Sequence, residues 1–574
     1  MEPVPVRRLS DLPVLVARAT SAVCLTGDGE VETLSLAAAA DRLRGEPVMV
    51  CHAKALAKRL GVERFPAFDL LELFAFVLPA RFCLPTPRGL AEALGIAVPA
   101  SLEDEAMVLL RAAHRLLGLL KDPVAEPRSD PVAIAWVMGR AGWPWAPFVL
   151  AALGACDGPA DGRARAALQV YRRLPEWEAE PPEPPPGQSP VEPSEARKRL
   201  SEMVGVGGKG RAEPRPQQSD YSSAISAAFL PRMEPGAPNM VLAEAGTGVG
   251  KTLGYLAPAS LWAEKNRGPV WISTYTRNLQ HQIDAELDRL HTDPAVKARR
   301  VVLRKGRENY LCLLNFEEAV RSISMLPQSP YVVPLGLMAR WVAATRDGDM
   351  QGGDFPGWLP DLVGRGATLA LADRRGECVF SACDHFHKCF IEWSIRRARK
   401  ADIVVANHAL VMIQAALGGG DDTRLPTRYV FDEGHHVFDA ADNAFAGHLT
   451  GRETAELRHW LLGAEEGRRS RARGLKRRIE DLVATDDEAG KLMEEIQMAA
   501  RTLPGEGWAA RVTSDAGDKA VIGPTERFLW VVRRQVYARA HGADSPYSLE
   551  TEPRPPGEGL LEAAEALESA LAKL

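Results

Sequence analysis

The stretch Val241-Leu-Ala-Glu-Ala-Gly-Thr-Gly-Val-Gly-Lys-Thr252 decides how the rest of this 574-residue chain is read. The apolar run Met240–Ala243 predicts a short strand, the glycines a tight loop, and the residues from Thr252 onward a helix. A strand, a Gly-rich loop, Lys and Thr, then a helix is the arrangement that cradles the phosphates of a nucleotide. Gly246, Gly248 and Gly250 let the backbone curl so that its N–H groups converge on phosphate oxygens, an approach that a Cβ would block. Lys251 supplies a cation for the β- and γ-phosphates, and Thr252 a hydroxyl for Mg²⁺. Where the general G-x-x-x-x-G-K-[ST] pattern begins with Gly, this chain has Ala245. The predicted cradle is therefore Ala245, Gly246, Thr247, Gly248, Val249, Gly250, Lys251 and Thr252.

Outward from that loop, strand-like and helix-like segments alternate, the pattern of a parallel α/β core. The strand candidates are Val270–Thr274, Arg300–Leu303, Asp402–Ala406 and Tyr429–Asp432, short β-branched runs suited to burial on both faces. The last of them delivers Asp432-Glu433-Gly434-His435-His436. A carboxylate at a strand end beside a phosphate loop can hold Mg²⁺, and its neighbour can activate an attacking water. Asp432 is assigned to the metal and Glu433 to the general base.

At this point the chain resembles a known family. A-E-A-G-T-G-V-G-K-T with D-E-G-H-H looks like the DinG/XPD group of superfamily 2 helicases, whose second motif reads D-E-x-H. Arg215-Pro-Gln-Gln218 resembles the Q-motif, which implies that Gln218 reads the adenine edge of ATP, with Gln217 as runner-up. Ser273-Thr-Tyr-Thr-Arg277-Asn-Leu-Gln280 resembles motif Ia, which contacts the backbone of single-stranded DNA. Val404-Val-Ala-Asn407-His408-Ala-Leu410 resembles the V-x-N-H-x-L segment that precedes the D-E-x-H box. The resemblance implies an ATP-dependent DNA helicase, active in DNA repair and moving 5′→3′ on single-stranded DNA, with ATP and Mg²⁺ as cofactors.

Cys312, followed by Cys378, Cys383 and Cys389 as C-x4-C-x5-C, lies where that family carries a [4Fe–4S] cluster, and four thiolates suit one. Zinc is the rival, because four cysteines also make a tetrahedral site and His385 and His387 lie inside the triplet. Spacings of four and five residues fit poorly with the paired C-x2-C of common zinc sites. Cys24, Cys51, Cys83 and Cys156 are scattered and read as small core residues.

Composition sets bounds on all of this. A 46% apolar and 25% charged chain is ordinary for a globular protein. The net charge of −5 means that any DNA contact must use local basic patches. Candidates are Arg299-Arg300, Arg304-Lys305-Gly-Arg307 and Arg396-Arg-Ala-Arg-Lys400, with Tyr275 and Tyr310 as base-stacking platforms. Arg468–Arg473 and Lys476–Arg478 read equally as a helix ion-paired with Glu465, Glu466 and Glu480. No apolar run is long enough to cross a bilayer and the N-terminus lacks a signal-peptide core, so the expected location is the cytoplasm, without membrane contact.

The expected fold is α/β, a RecA-like parallel sheet with inserted and appended helical parts. Residues 1–125 read as a small α/β region, in which Phe68-Asp-Leu-Leu-Glu-Leu-Phe-Ala-Phe-Val-Leu-Pro79, then Gly89-Leu-Ala-Glu-Ala-Leu-Gly95, resembles the middle of a DnaQ-like 3′–5′ exonuclease. The carboxylates that two-metal hydrolysis needs are out of place there: Asp28 and Glu30 lie beyond the early strand, and Glu103-Asp-Glu105 lacks a matching His. A degenerate, non-catalytic region is expected. Residues 126–212 read as a helical segment, with Trp136, Trp143 and Trp145 as core, then a Pro-rich boundary at Glu176–Gly187 and a flexible Gly-rich piece at Ser201–Arg211. Residues 213–440 read as the first motor domain with the cysteine insert at about 305–400, and 441–574 as helices resembling the start of an Arch domain. Nothing after His436 resembles the Gly-Arg motif of a second motor domain, which implies a truncated chain or gene fragment. Three functions follow: a helicase motor, an ATP- and DNA-binding fragment that does not unwind, and an exonuclease–helicase fusion.

Overall fold

The computed structural model describes residues 8–63, 65–121, 128–156, 158–159, 161–179, 181, 183–206, 215–234, 237–324, 328–373, 378–418, 427–447, 449–463, 474–484, 486–514, 517–540, 549 and 551–574. The chain forms two compact units, one of residues 1–373 and 382–445, the other of 374–381 and 446–574.

Two sheets organise the first unit. One has the order β3-β2-β1-β4-β5, built from β1 (Val14–Ala17), β2 (Ala22–Leu25), β3 (Val31–Leu34), β4 (Val48–Val50) and β5 (Ala67–Asp69). β1, β2 and β3 pair antiparallel, while β4 joins β1, and β5 joins β4, in parallel. The other has the order β7-β8-β6-β9, from β6 (Val270–Thr274), β7 (Val301–Leu303), β8 (Ile403–Asn407) and β9 (Arg428–Phe431). All its pairings are parallel. β6 is buried along its whole length, as expected for a strand covered on both faces by helices. The chain is thus α/β, as the alternation of segments predicts.

One expected strand does not form. Met240–Ala243 belongs to no sheet, and Met240 and Leu242 are 78% and 89% exposed. A short apolar run becomes a strand only through its ladder. Here the Asn239 amide instead donates to the carbonyls of Leu230 and Pro231, which fixes the start of the segment to a turn rather than to a strand edge. The phosphate loop is consequently positioned by the helix that follows it, Lys251–Asn266, and not by a strand before it.

The Pro-rich stretch is likewise not a free boundary. Trp177 donates its backbone N–H to the His387 carbonyl at 2.9 Å, and the Arg396 guanidinium lies 3.5 Å from its ring centroid. Further on, Gly187 and Ser189 bond to Asn266. Proline makes a segment stiff, and stiffness lowers the cost of holding it against a surface. Of the piece expected to be flexible, Ser201–Val206 ends the helix Pro193–Val206, and 207–211 lie outside the described residues.

The largest core runs without interruption through Leu9–Leu174 and Leu311–Phe390. Trp143 and Trp145 are buried in it, as their composition predicts. Arg340, on the helix Val332–Ala344, is 1% exposed at the seam. It donates to the Phe76 carbonyl at 2.8 Å and to Ser129 Oγ at 2.7 Å, and lies over the Phe76 ring. Trp358 Nε1 donates to the Cys83 carbonyl across the same seam. Of the scattered cysteines, Cys24 and Cys83 are buried core residues, Cys51 is half-buried and Cys156 is exposed.

The second unit is helical in its described residues, around Leu461, Ala500 and Leu503. A buried Glu526 takes two hydrogen bonds from Arg511, at 2.6 and 2.8 Å. Arg468–Arg473, Glu465 and Glu466 lie outside the described residues.

Next to the buried Asp69, Glu72 accepts a hydrogen bond from Trp143 Nε1 at 3.0 Å, and burial pushes its carboxyl up from 4.5 to about 8. A raised folded pKa means that this group's contribution to stability is complete below its unfolded value and is lost as pH rises through about 8. Glu72→Gln, which can keep the Trp143 bond, is therefore expected to raise stability above pH 5. The gain should grow by up to about 1.4 kcal/mol per pH unit toward pH 8, read from denaturant midpoints at several pH values. A gain that does not vary with pH would refute the buried carboxyl as its source.

Candidate nucleotide-binding site

The phosphate loop meets the ends of β6 and β9. Gly248 and Gly250 have φ of 83° and 89°, the left-handed region that glycine enters without penalty. Gln218, 6% exposed on the helix Pro216–Ile225, donates its side-chain amide to the Gly250 carbonyl at 2.9 Å. A Cβ on Gly250 would collide with that amide, so the position requires glycine twice over. Arg215 donates to the Gly248 carbonyl at 2.9 Å. The side-chain N–H groups of Arg215 and Gln218 thus brace the loop from behind, while Gln217 is exposed. The sequence flagged Gln218 for adenine, and its bond to the loop backbone was not foreseen.

Lys251 opens the helix, and its Nζ lies 2.9 Å from Glu433 Oε1. Glu433 has left-handed backbone angles of φ 52° and ψ 51°, which turn its carboxylate back over the loop. The neighbouring lysine holds its carboxyl below the ordinary range. Asp432 behaves in the opposite sense, because burial raises its carboxyl while a 3.2 Å bond from Thr274 Oγ1 partly offsets that. Two adjacent carboxylates therefore differ in basicity for identifiable reasons. Thr274 stands 158 residues from Asp432 in the chain. In the sequence it is one of two threonines in S-T-Y-T, and nothing local marks it as the one facing the carboxylate.

The V-A-N-H-A-L segment is explained by the same strand ends. Asn407 Oδ1 accepts from the Leu410 N–H, and His408, 1% exposed, has Nδ1 2.7 Å from Ser273 Oγ. Burial lowers the His408 pKa, so the neutral ring is favoured. Tyr275, immediately beyond β6, is stacked on His436 with ring centroids 3.8 Å apart.

Much of the basic and aromatic set expected to touch DNA is used internally. Tyr310 is 2% exposed, its hydroxyl between Ser394 Oγ and the Lys305 N–H, so it offers no ring face to a base. Arg304 is buried and donates to Ser394, and buried Lys305 pairs with Asp349 at 2.5 Å. Arg307 pairs with Asp373, Arg300 with Asp402 and Lys400 with Glu183. Lys305 and Arg307 thus sit where carboxylates from distant sequence compensate them. Arg299, Arg300, Arg399 and Lys400 are exposed.

Of the cysteines, Cys312 is half-buried, and desolvation raises its thiol pKa, with the nearby Cys383 adding to the effect. Cys389 is the N-cap of the helix Phe390–Lys400, and Cys378 Sγ accepts the Phe380 N–H at 3.4 Å. His385 pairs with Glu317 at 2.7 Å. Among the described residues no group of three or more His, Cys, Asp or Glu is arranged to hold a metal ion. That also covers the carboxylates of the N-terminal region. β1 bears none, Asp28 and Glu30 lie in the turn between β2 and β3, and Asp104 is spent capping the helix Leu102–Leu119.

A glycine-lined phosphate loop, a lysine at its helix and two carboxylates on a neighbouring strand end define the class: a P-loop nucleotide-binding fold. No family model matches the chain. Curated relatives do, and through them the chain is similar to the DinG-like helicases. A 253-residue match to the ATP-dependent DNA helicase YoaA of Haemophilus influenzae is 29% identical and covers 42% of this chain and 36% of that protein. The ATP-dependent DNA helicase DinG of Photobacterium profundum is 33% identical over 205 residues, 34% of this chain and 29% of that one. A Bacillus subtilis protein named 3′-5′ exonuclease DinG is 31% identical over 220 residues, 37% of this chain and 22% of its own. The chain thus spans well under half the length of these relatives.

Lys251 and Glu433 form an ion pair. Glu433→Gln removes the charge of that pair, and Mg²⁺-ATP is expected to bind at least as tightly, up to about fivefold tighter, in a fluorescent-nucleotide titration. Weaker binding would mean that the pair preorganises the lysine instead of competing for it.

Proposed function

We propose that this chain is the ATP-hydrolysing, DNA-holding part of a DinG-like DNA helicase. The observation that carries the reading is the convergence of Lys251, Glu433, Asp432 and Thr274 at one end of the parallel sheet. Lys251 and the N–H groups of the loop hold the phosphates, Asp432 holds Mg²⁺, and Glu433 orients and deprotonates the attacking water. Gln218 holds the loop and reads the adenine edge. The segment Ser273–Gln280 contacts single-stranded DNA, followed in the 5′→3′ sense, from its exposed part at Tyr275 and Thr276. No helix among the described residues is long and apolar enough to cross a membrane.

A [4Fe–4S] cluster belongs to the same proposal, on Cys312, Cys378, Cys383 and Cys389. What supports it is the chemistry of the donor set: four thiolates can each ligate an iron, and Cys378 Sγ accepts a backbone N–H, as cluster sulfurs do. When bound, the cluster would supply a rigid thiolate cross-link with a one-electron couple.

The deciding experiment is ATP turnover by residues 1–574, with and without single-stranded DNA, beside Lys251→Ala. Turnover stimulated by DNA and reduced at least about a hundredfold in the variant is the expected result. Nucleotide and DNA binding without turnover would favour a binding fragment that lacks unwinding. Absence of nucleotide binding would overturn the proposal. For the cluster, Cys383→Ser is expected to yield protein without iron, and full iron content in that variant would refute the ligand set.

A further inference from the structure

Tyr275 is 51% exposed, although one of its faces is already covered. The cover is His436, parallel to within 13° at 3.8 Å between centroids. Two aromatic rings held face to face leave an outer face that is flat, apolar and fixed in orientation. Such a surface suits a ligand that is itself a flat ring. The stack also leads somewhere. His436 lies 4.0 Å from the His435 ring, and His435 Nδ1 is 3.7 Å from Glu433 Oε2. Beneath it, Thr274 holds Asp432. Tyr275 is therefore the exposed end of a short series of contacts that finishes at both carboxylates.

We infer that the outer face of Tyr275, backed by His436, is a stacking site for one unpaired nucleobase, and that occupation of this site is sensed at Glu433 through the turn Gly434–His436. The inference rests on the helicase reading and adds, to the stacking role expected of Tyr275, its backing by His436 and its link to Glu433. Of the cations expected to meet DNA, Arg304, Lys305 and Arg307 are committed to Ser394, Asp349 and Asp373. A base on Tyr275 needs none of them. Stacking is indifferent to base identity, since every base has a π-face, so the site would accept any sequence but reject a strand without bases.

The test compares two probes of equal length and charge, an oligothymidylate and an abasic oligonucleotide, binding to the full chain. The wild type is expected to prefer the base-bearing strand by about tenfold. Tyr275→Ala should abolish the preference and leave the salt-dependent, base-independent binding, while Tyr275→Phe keeps both. His436→Ala should lower the ratio of DNA-stimulated to unstimulated turnover, and His436→Phe, which restores a ring behind Tyr275, should recover it. Tyr275→Ala with the wild-type preference intact, or a wild type that binds both probes equally, would overturn the inference while the helicase reading stands. Failure of the wild type to bind either probe would remove the helicase reading and this inference with it.

Discussion

The parallel pairing of β6 with β9 is the constraint on which the site depends. Val270 to Ser273 lie opposite Arg428 to Phe431, and the Asp432 N–H closes the ladder on the Ser273 carbonyl. Parallel strands in register end at the same level, so whatever each chain does next, it does beside the other. Thr274 and Asp432 meet for that reason, and Tyr275 and His436 follow one step beyond. A left-handed non-glycine backbone, as at Glu433, carries a cost of about 1–2 kcal/mol. It persists because the strand before it and the lysine contact beyond it determine where the residue must lie.

Charge is used economically here. With a net charge of −5, the chain has few cations to spare, and several of the most basic runs are consumed by internal carboxylates or carbonyls. Burying a cation is tolerable only with its partner present, so the buried Lys305–Asp349 pair acts as a fixed joint between segments far apart in sequence.

The phosphate loop, the D-E pair and β6, β8 and β9 were legible because their signals are local: glycine spacing, adjacent carboxylates and β-branched runs. What escaped was set by partners far away. Met240–Ala243 reads like its sister strands, yet only pairing makes a strand, and it has none. Arg304 and Lys305 look like a solvated basic patch until Ser394 and Asp349 are seen beside them. Tyr310 fails as a platform for the same reason, since burial is a property of the neighbours and not of the residue. In the Pro-rich stretch, composition reports stiffness correctly but says nothing of the ring of Trp177, which finds Arg396.

The seam between the N-terminal region and the helix Val332–Ala344 has a consequence for how this chain can vary. Among the described residues the N-terminal region gathers no set of metal-holding carboxylates, yet it lends apolar volume to a core that neither side completes alone. Arg340 is buried in that core, and its partners include the Phe76 carbonyl and Ser129. Such a region is free to drift in its chemistry but not in its shape. A substitution there is then felt in the packing around the helix Val332–Ala344, on the far side of the same core.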